Sequence, residues 1–211
     1  QTDVATCSAD RDGQCLTEPQ KAAIETIFDG VKTRYGKRIY ASFPYDVGID
    51  NRGHMNWEYS APIQRDSAAV AMIFNTPPVP LANYDINNFD SADFVFHADI
   101  DQLFDRVNTT EGIYAESAMS FMAPPKPEEM STLRDRGGKI MVYHGVSDAI
   151  FSVQDTEAWY KKLMRKNRGR GDAFAQFYPI PGMGHCSGGP ATDQFDMLTP
   201  LVAWVEQGEK P

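Results

Sequence analysis

Blocks of apolar residues near the end of the chain predict two consecutive strand–loop–helix steps. Residues 140–143 are all apolar and follow Lys139, as expected of a short strand buried on both faces. Residues 174–180 form a second, largely apolar run. Apolar residues at three- and four-residue spacing then predict one helix capped by Ser152 and another over 195–207. This order predicts two neighbouring parallel strands joined by a right-handed crossover.

The beginning of the chain predicts a helix of about 15 residues. Thr17 suits its N-cap, because Gln20 follows three residues later and completes a capping-box pattern. Apolar residues then recur at three- and four-residue steps as far as Val31, and Gly30 lies near the helix end. This helix and the loop before it define a first unit, residues 1–35.

Residues 36–126 are rich in Asn, Asp, Pro and aromatic residues and are only weakly periodic. Short helices are predicted over 67–74 and 99–107 inside this segment, and over 130–136 within the last unit, 127–211. A long irregular segment inside a compact fold is usually a lid or a binding surface. An ordinary decorated region with buried aromatic side chains fits the pattern equally well.

The acidic net charge of the chain limits the kinds of molecule that it is expected to bind. The sequence has 29 acidic and 20 basic residues, a formal net charge of −9 and a pI near 4.9. This balance argues against nucleic acid and anionic membranes as partners, and no apolar run has the length of a membrane span. The chain begins at Gln1 without a visible signal peptide, which we interpret as a processed terminus or a fragment edge.

The three cysteines indicate the redox conditions of the compartment in which the protein is found. Cys7 and Cys15 bracket a short polar loop, which suits a small disulfide, although two free thiols also fit. Cys186 is then the unpaired third cysteine. An unpaired cysteine in a secreted protein suggests a disulfide partner outside the sequence. We therefore predict a secreted or periplasmic protein. The histidines are scattered and no metal-ligand cluster is apparent, so no metal is predicted.

An acid and a histidine follow the two predicted strands. Asp148 comes just after the first strand, and His185 lies in a glycine-rich loop after the second. Because the carboxyl ends of parallel strands meet at one edge of a sheet, we expect Asp148 to accept a hydrogen bond from His185. This is the second half of the Ser–Asp–His order of a serine hydrolase. No Gly-x-Ser-x-Gly precedes Asp148, and neither Ser147 nor Ser187 fits that motif.

The other histidines are not expected to be catalysts. His144 precedes the turn that leads to Asp148, and we expect it to structure that turn. His54 and His97 fall within 36–126, and we expect them at the surface or on the substrate side of that segment.

Three motifs near the end of the chain are specific enough to indicate a family. They are Gly-Gly-Lys-Ile-Met-Val-Tyr-His-Gly-Val-Ser-Asp over 137–148, Pro-Gly-Met-Gly-His-Cys-Ser-Gly-Gly-Pro over 181–190, and Leu-Val-Ala-Trp-Val-Glu-Gln-Gly over 201–208. In this order they resemble the tannase/feruloyl esterase family. The resemblance extends from about Cys7 to Pro211 and is loosest in the 36–126 segment.

The resemblance implies an α/β fold: the C-terminal part of an α/β-hydrolase sheet, with a large, mostly irregular, α-rich lid insertion at 36–126. Asp148 matches the catalytic acid of the family and His185 matches its base. Cys186 matches a cysteine that bridges to the residue before the nucleophile, so its partner is expected outside this chain.

The resemblance also implies which parts of the site are not expected here. Cys7 and Cys15 match a small structural disulfide. The nucleophilic serine of the family and its aspartate-rich calcium loop both come before Cys7, so no cofactor is expected within this chain. The N-terminal half of the same enzyme is then an expected partner.

Two functions are compatible with these residues. The resemblance implies a serine esterase of galloyl or hydroxycinnamoyl esters, whose substrate is a small aromatic ester that is free or linked to a plant polymer. Trp57, Tyr59 and Arg65 are candidates for contact with the aromatic acid, although no motif match assigns them. The alternative is a non-catalytic aromatic- or carbohydrate-binding module that keeps the hydrolase fold. A Gly-x-Ser-x-Gly preceded by a cysteine upstream would decide for the enzyme.

Overall fold

The structure is a computed structural model that describes residues 4–7, 13–50, 52–79, 88–122 and 124–211. Its elements are, in chain order, β1 (Ala5–Thr6), β2 (Cys15–Leu16), α1 (Glu18–Phe28), α2 (Arg52–Met55), two π-helical segments (Asn56–Ser60 and Pro62–Asp66), α3 (Ser67–Met72), α4 (Ser91–His97), α5 (Ile100–Asn108), α6 (Ala118–Met122), α7 (Ser131–Asp135), β3 (Ile140–Gly145), α8 (Val153–Lys166), a 3₁₀ turn (Gly171–Ala173), β4 (Ala175–Ile180) and α9 (Leu198–Gln207).

The two predicted strands pair in parallel, as the sequence indicates. In register, Ile140 of β3 lies beside Ala175 of β4, and Gly145 lies beside Ile180. The connecting helix α8 is capped by Ser152, whose Oγ accepts a hydrogen bond from the backbone N–H of Gln154. The carboxyl ends of β3 and β4 therefore meet at one edge, which is where the loops with the acid and the histidine begin.

A hydrophobic cluster fixes α8 against this pair of strands. Leu163 of α8 is fully buried, and Phe174 and Ala175 at the start of β4 are nearly so. The partly buried side chains packed around them are Met130, Leu133, Ile140, Trp159, Tyr160 and Met164. Burying a leucine or phenylalanine side chain contributes roughly 1.5–3 kcal/mol. This packing holds the strands and helix that carry the candidate site.

Two helices are shorter than the periodicity predicts, one at its end and the other at its start. The capping box of Thr17 is confirmed, but α1 ends at Phe28, and Gly30 follows with a φ of 75°. The last helix begins at Leu198 rather than at 195. Asp196 causes this shift, because its Oδ1 accepts hydrogen bonds from the N–H groups of Leu198 and Thr199.

The segment 36–126 contains more helix than its weak periodicity predicts. Helical conformation runs almost without interruption over 52–72, and only its last part was predicted. Helix α4 was not predicted, whereas α5 agrees with the predicted helix and is capped by Asp99. The division of the chain at residues 35 and 126, and the role of the segment as a lid, stay predictions.

His54 does not lie at the surface, which is one of the two positions expected for it. The residue is 8% exposed, its ring stacks on Phe28 with centroids 6.0 Å apart, and its Nδ1 lies 3.3 Å from the carbonyl oxygen of Ser147. The position of α2 against the end of α1 decides this burial, and no periodicity around residue 54 signals it. His97 is exposed on α4, as expected.

The first two cysteines form the predicted disulfide. Cys7 and Cys15 are bonded, and β1 and β2 form a short parallel pair beside the bond. Residues 8–12 of the loop between them lie outside the described residues. In the part of the chain that the structure describes, no helix is both long and apolar enough to cross a membrane.

Candidate active site

Asp148 and His185 meet at the carboxyl ends of β3 and β4. His185 Nδ1 lies 3.0 Å from Asp148 Oδ2, so the ring donates its Nδ1 proton to the carboxylate. Asp148 is 5% exposed, whereas the side chain of His185 is 30% exposed. The imidazole therefore turns Nε2 away from the acid. In this geometry the acid fixes the tautomer of a histidine that can accept a proton at Nε2.

Hydrogen bonds keep the carboxyl group of Asp148 ionised despite its burial. Burial by itself raises the pKa of Asp148, but N–H donors from His144, His185, Phe151 and Ile150 outweigh it and lower the pKa to about 2. Its Oδ1 accepts the backbone N–H groups of Ile150 at 2.8 Å and Phe151 at 3.0 Å. A carboxylate with this many donors stays negatively charged and stabilises an imidazolium ion beside it.

Close backbone approach brings the two loops together, and a glycine makes it possible. A Cβ on Gly145 would lie 2.3 Å from the carbonyl oxygen of Met183 and 2.5 Å from that of Gly184. The end of β3 therefore contacts the start of the histidine loop directly. The backbone N–H of Ser147 also donates to the Met183 carbonyl oxygen, at 3.0 Å. These contacts set the distance from Asp148 to His185.

His144 contacts the same turn, as the sequence indicates. Its Nδ1 lies 2.8 Å from Thr156 Oγ1, and its Nε2 lies 2.8 Å from the carbonyl oxygen of Phe151. Nε2 is also 3.3 Å from Oδ2 of Asp148. The structure thus adds a contact with the acid that was not predicted.

Asp46 braces both loops and was missed by sequence reasoning. Its Oδ2 accepts hydrogen bonds from Ser147 Oγ and from the backbone N–H of Gly182, both at 2.6 Å. Ser147 Oγ in turn accepts the backbone N–H of Gly48 at 3.0 Å. One carboxylate in the segment after α1 thus ties the acid loop to the histidine loop.

These contacts engage the hydroxyl of Ser147, which is 5% exposed, and argue against Ser147 as the nucleophile. A hydroxyl that donates to Asp46 and accepts from Gly48 is not positioned to donate to the Nε2 of His185.

Cys186 is an exposed free thiol with a φ of 66°. Its pairing with a cysteine elsewhere stays a prediction. Within the described ranges, no group of three or more His, Cys, Asp or Glu side chains is arranged to hold a metal ion.

Aromatic side chains flank the exposed side of His185. The Trp57 ring contacts it edge-on with centroids 6.0 Å apart, and the Phe151 ring lies 5.6 Å away. The guanidinium of Arg65 lies 4.5 Å from the centroid of Trp57. Of the three residues predicted to contact the aromatic acid, Trp57 thus lies against this histidine and Arg65 lies against Trp57, whereas Tyr59 is 47% exposed.

Comparison with known proteins identifies the family. The model described as "Tannase and feruloyl esterase" matches residues 1–211. The chain belongs to this family. Mono(2-hydroxyethyl) terephthalate hydrolase of Piscinibacter sakaiensis is 36% identical over 222 residues, covering 97% of this chain and 36% of that protein. Feruloyl esterase B of Aspergillus niger is 32% identical over 99 residues, covering 39% of this chain and 19% of that protein.

Solved structures confirm the α/β-hydrolase type of fold. An esterase from Aspergillus oryzae superposes with a TM-score of 0.64 at 19% identity and covers all of this chain and 40% of its own. A tannin acyl hydrolase from Aspergillus niger gives a TM-score of 0.63 at 16% identity, again with 40% of its own chain. The tannase/feruloyl esterase chain described here thus spans well under half the length of these relatives.

Proposed function

We propose that this chain supplies the acid and the base of a serine esterase active site. The observation that supports this most strongly is the 3.0 Å contact between Asp148 Oδ2 and His185 Nδ1 at adjacent strand ends. Asp148 is buried and ionised, and His185 remains partly exposed. A general base needs this combination of an oriented ring and a free second nitrogen.

The chemistry is acyl transfer in two steps. A serine outside these 211 residues attacks the ester carbonyl, and Nε2 of His185 takes its proton. Asp148 stabilises the resulting imidazolium, which returns the proton to the leaving alcohol. Water then attacks the carbonyl of the acyl-serine while His185 takes a proton from it. The imidazolium returns that proton to the serine oxygen as the bond to the acyl group breaks and the acid leaves.

The substrate we propose is an ester of an aromatic acid. Trp57 and Phe151 flank His185 and offer aromatic surface next to the base. The names of the relatives specify terephthalate and feruloyl esters, which are both aromatic acid derivatives. Galloyl and hydroxycinnamoyl esters, free or linked to plant polymers, belong to the same chemical class. Edge-to-face and stacked ring contacts favour such an acyl group.

We place the enzyme in an oxidising compartment, outside the cell or in the periplasm. The disulfide between Cys7 and Cys15 supports this placement, because such bonds persist where thiols are not kept reduced. The rest of the same enzyme is the proposed partner of this chain, since it would supply the nucleophile and the cysteine that pairs with Cys186.

The first test compares alanine variants in the active enzyme that contains this chain. His185→Ala should lower kcat on methyl ferulate at least about 10³-fold, because it removes the base. His97→Ala is a matched control, since His97 is exposed on α4. Equal turnover by both variants would refute the assignment and favour the binding-module alternative.

The second test locates the nucleophile directly. A fluorophosphonate ester forms a covalent bond with an activated serine, and peptide mass spectrometry identifies the residue that carries it. We expect the label on a serine outside this chain, and no label when His185 is replaced by Ala. A label on Ser147 or Ser187 would contradict the proposed origin of the nucleophile.

A further inference from the structure

A second histidine contacts the same carboxylate oxygen of Asp148 as the proposed base. His144 lies at the end of β3, and its side chain is 14% exposed. The ring makes close polar contacts at both nitrogens, with Thr156 of α8 on one side and the 148–151 turn on the other. A histidine held at both nitrogens is fixed in ring orientation as well as in position.

The partners of His144 determine its tautomer. A carbonyl oxygen can only accept, so the 2.8 Å contact with Phe151 requires a proton on Nε2. In the neutral ring, Nδ1 then accepts, and its partner at 2.8 Å is the hydroxyl of Thr156, which can donate. The carbonyl of Phe151 therefore selects the tautomer with its proton on Nε2, and the hydroxyl of Thr156 satisfies Nδ1.

The same Nε2–H reaches the catalytic pair. Nε2 of His144 lies 3.3 Å from Oδ2 of Asp148, and Nδ1 of His185 lies 3.0 Å from that same oxygen. The Nε2–H of His144, which donates to the Phe151 carbonyl oxygen, thus also faces the carboxylate oxygen that accepts from His185. Backbone N–H groups hold the other oxygen, so both carboxylate oxygens have partners.

We propose that His144, with its ring held between Thr156 and the carbonyl of Phe151, is a positioning residue that aims Oδ2 of Asp148 at His185. The proposal rests on the proposed function, because it gives a role within that acid–base pair. When the contact with His144 is lost, Oδ2 can turn away from His185. The carboxylate then stabilises the imidazolium form of His185 less.

Other titratable groups near the acid come from separate elements. Asp46 contacts the loops through Ser147 and Gly182, and the hydroxyl of Tyr40 accepts the backbone N–H of Ser152 at 3.0 Å. Partial burial raises the pKa of Tyr40, and the charges of Asp155 and Asp148 add to this effect. A variant at residue 144 leaves these groups in place, so its effect on the pH profile reports the change at Asp148.

The test uses two replacements of His144 in the active enzyme. His144→Phe keeps the ring volume and removes the donor, whereas His144→Gln offers an N–H near the position of Nε2. We expect His144→Phe to lower kcat about tenfold or more with little change in KM, the factor of one charge-assisted hydrogen bond. His144→Gln should recover most of the loss. His97→Phe and His97→Gln are the matched controls on an exposed site.

The pH profile separates positioning from a merely structural role. The acid limb of kcat/KM reports the base of the free enzyme, and it should move to lower pH in His144→Phe but not in His144→Gln. Wild-type kcat, or an acid limb that is unchanged or moved to higher pH, would overturn the proposal. If His185→Ala is inactive while His144→Phe behaves like wild type, this inference fails and the proposed function stands.

Thr156 gives an independent route to the same result if His144→Phe does not fold. Thr156→Val keeps the shape and removes the hydroxyl that Nδ1 of His144 contacts, whereas Thr156→Ser retains a hydroxyl. We expect a smaller fall in kcat and a shift of the acid limb in the same direction for valine, with serine near wild type. Equal profiles for the two variants would also overturn the proposal.

Discussion

The hydrogen bonds by which Asp46 joins the acid loop to the histidine loop allow a quantitative prediction of protein stability. Asp46→Asn removes the negative charge but keeps an acceptor oxygen and nearly the same shape. In the structure, Oδ2 accepts two hydrogen bonds of 2.6 Å, from Ser147 Oγ and from Gly182 N–H. Partial burial raises the pKa of Asp46, but these donors and the N–H of Val47 outweigh it, and the net effect lowers the pKa. The folded state therefore favours the charged form.

The magnitude follows from the two hydrogen bonds. A bond to a charged group contributes roughly 1.5–3 kcal/mol and a neutral one roughly 0.5–1.5 kcal/mol, so neutralising the acceptor costs about 1 kcal/mol per bond. Two bonds give about 2 kcal/mol. Asp46 is partly exposed, so solvent screening reduces the expected loss of unfolding free energy to about 1–2 kcal/mol.

Urea unfolding of the protein at pH 7 measures this loss, and a double-mutant cycle with Ser147→Ala isolates the pair. We expect a coupling free energy of about 1 kcal/mol between Asp46 and Ser147, since the two side chains are in direct contact. Asp105→Asn, an exposed aspartate on α5, is the matched control and should change the unfolding free energy by less than about 0.5 kcal/mol. A coupling below about 0.3 kcal/mol would refute the brace.

Two further predictions concern pH. The pKa of Asp148 in the folded state is about 2, against a reference value of 3.8. The stabilisation by the charged carboxylate is therefore present above pH 3.8 and is lost as pH falls through 2, at most about 2 kcal/mol. Asp148→Asn should flatten the dependence of the unfolding free energy on pH over this range, and an unchanged slope would contradict the prediction. Burial raises the pKa of Glu58 from 4.5 to about 7, so ionisation destabilises the folded state as pH rises from 4.5 through 7. Glu58→Gln should therefore raise the thermal midpoint more at pH 8 than at pH 5, and an equal change at both would count against it.

Local signals in the sequence predict the strands and the outer limits of the main helices. The Thr17 capping box and the apolar runs of β3 and β4 depend on residues close in the chain, so they can be read directly. The helix ends were less certain, because single side chains such as Asp196 override periodicity. The helical run over 52–72 lacks a clear apolar stripe, and its packing rather than its pattern stabilises it.

The sequence likewise predicts some residues of the candidate site but not all of their contacts. Asp148 and His185 were predicted as a pair, because parallel strands fix where the residues after them must lie. The contact of His144 with the acid was not predicted, although both residues belong to one motif. Its orientation depends on Thr156 of the following helix, and a motif does not specify that direction.

The sequence by itself determined the parallel strand pair, the family motifs, and the acid and histidine that follow the strands. Only the tertiary structure decided which distant side chains support them. Asp46 is 101 residues from Ser147 and 136 from Gly182 along the chain, and Trp57 reaches His185 from another segment. Periodicity reports which face of an element is buried, but not which element covers it. Contacts between distant segments depend on how whole elements pack, and local sequence does not encode that packing.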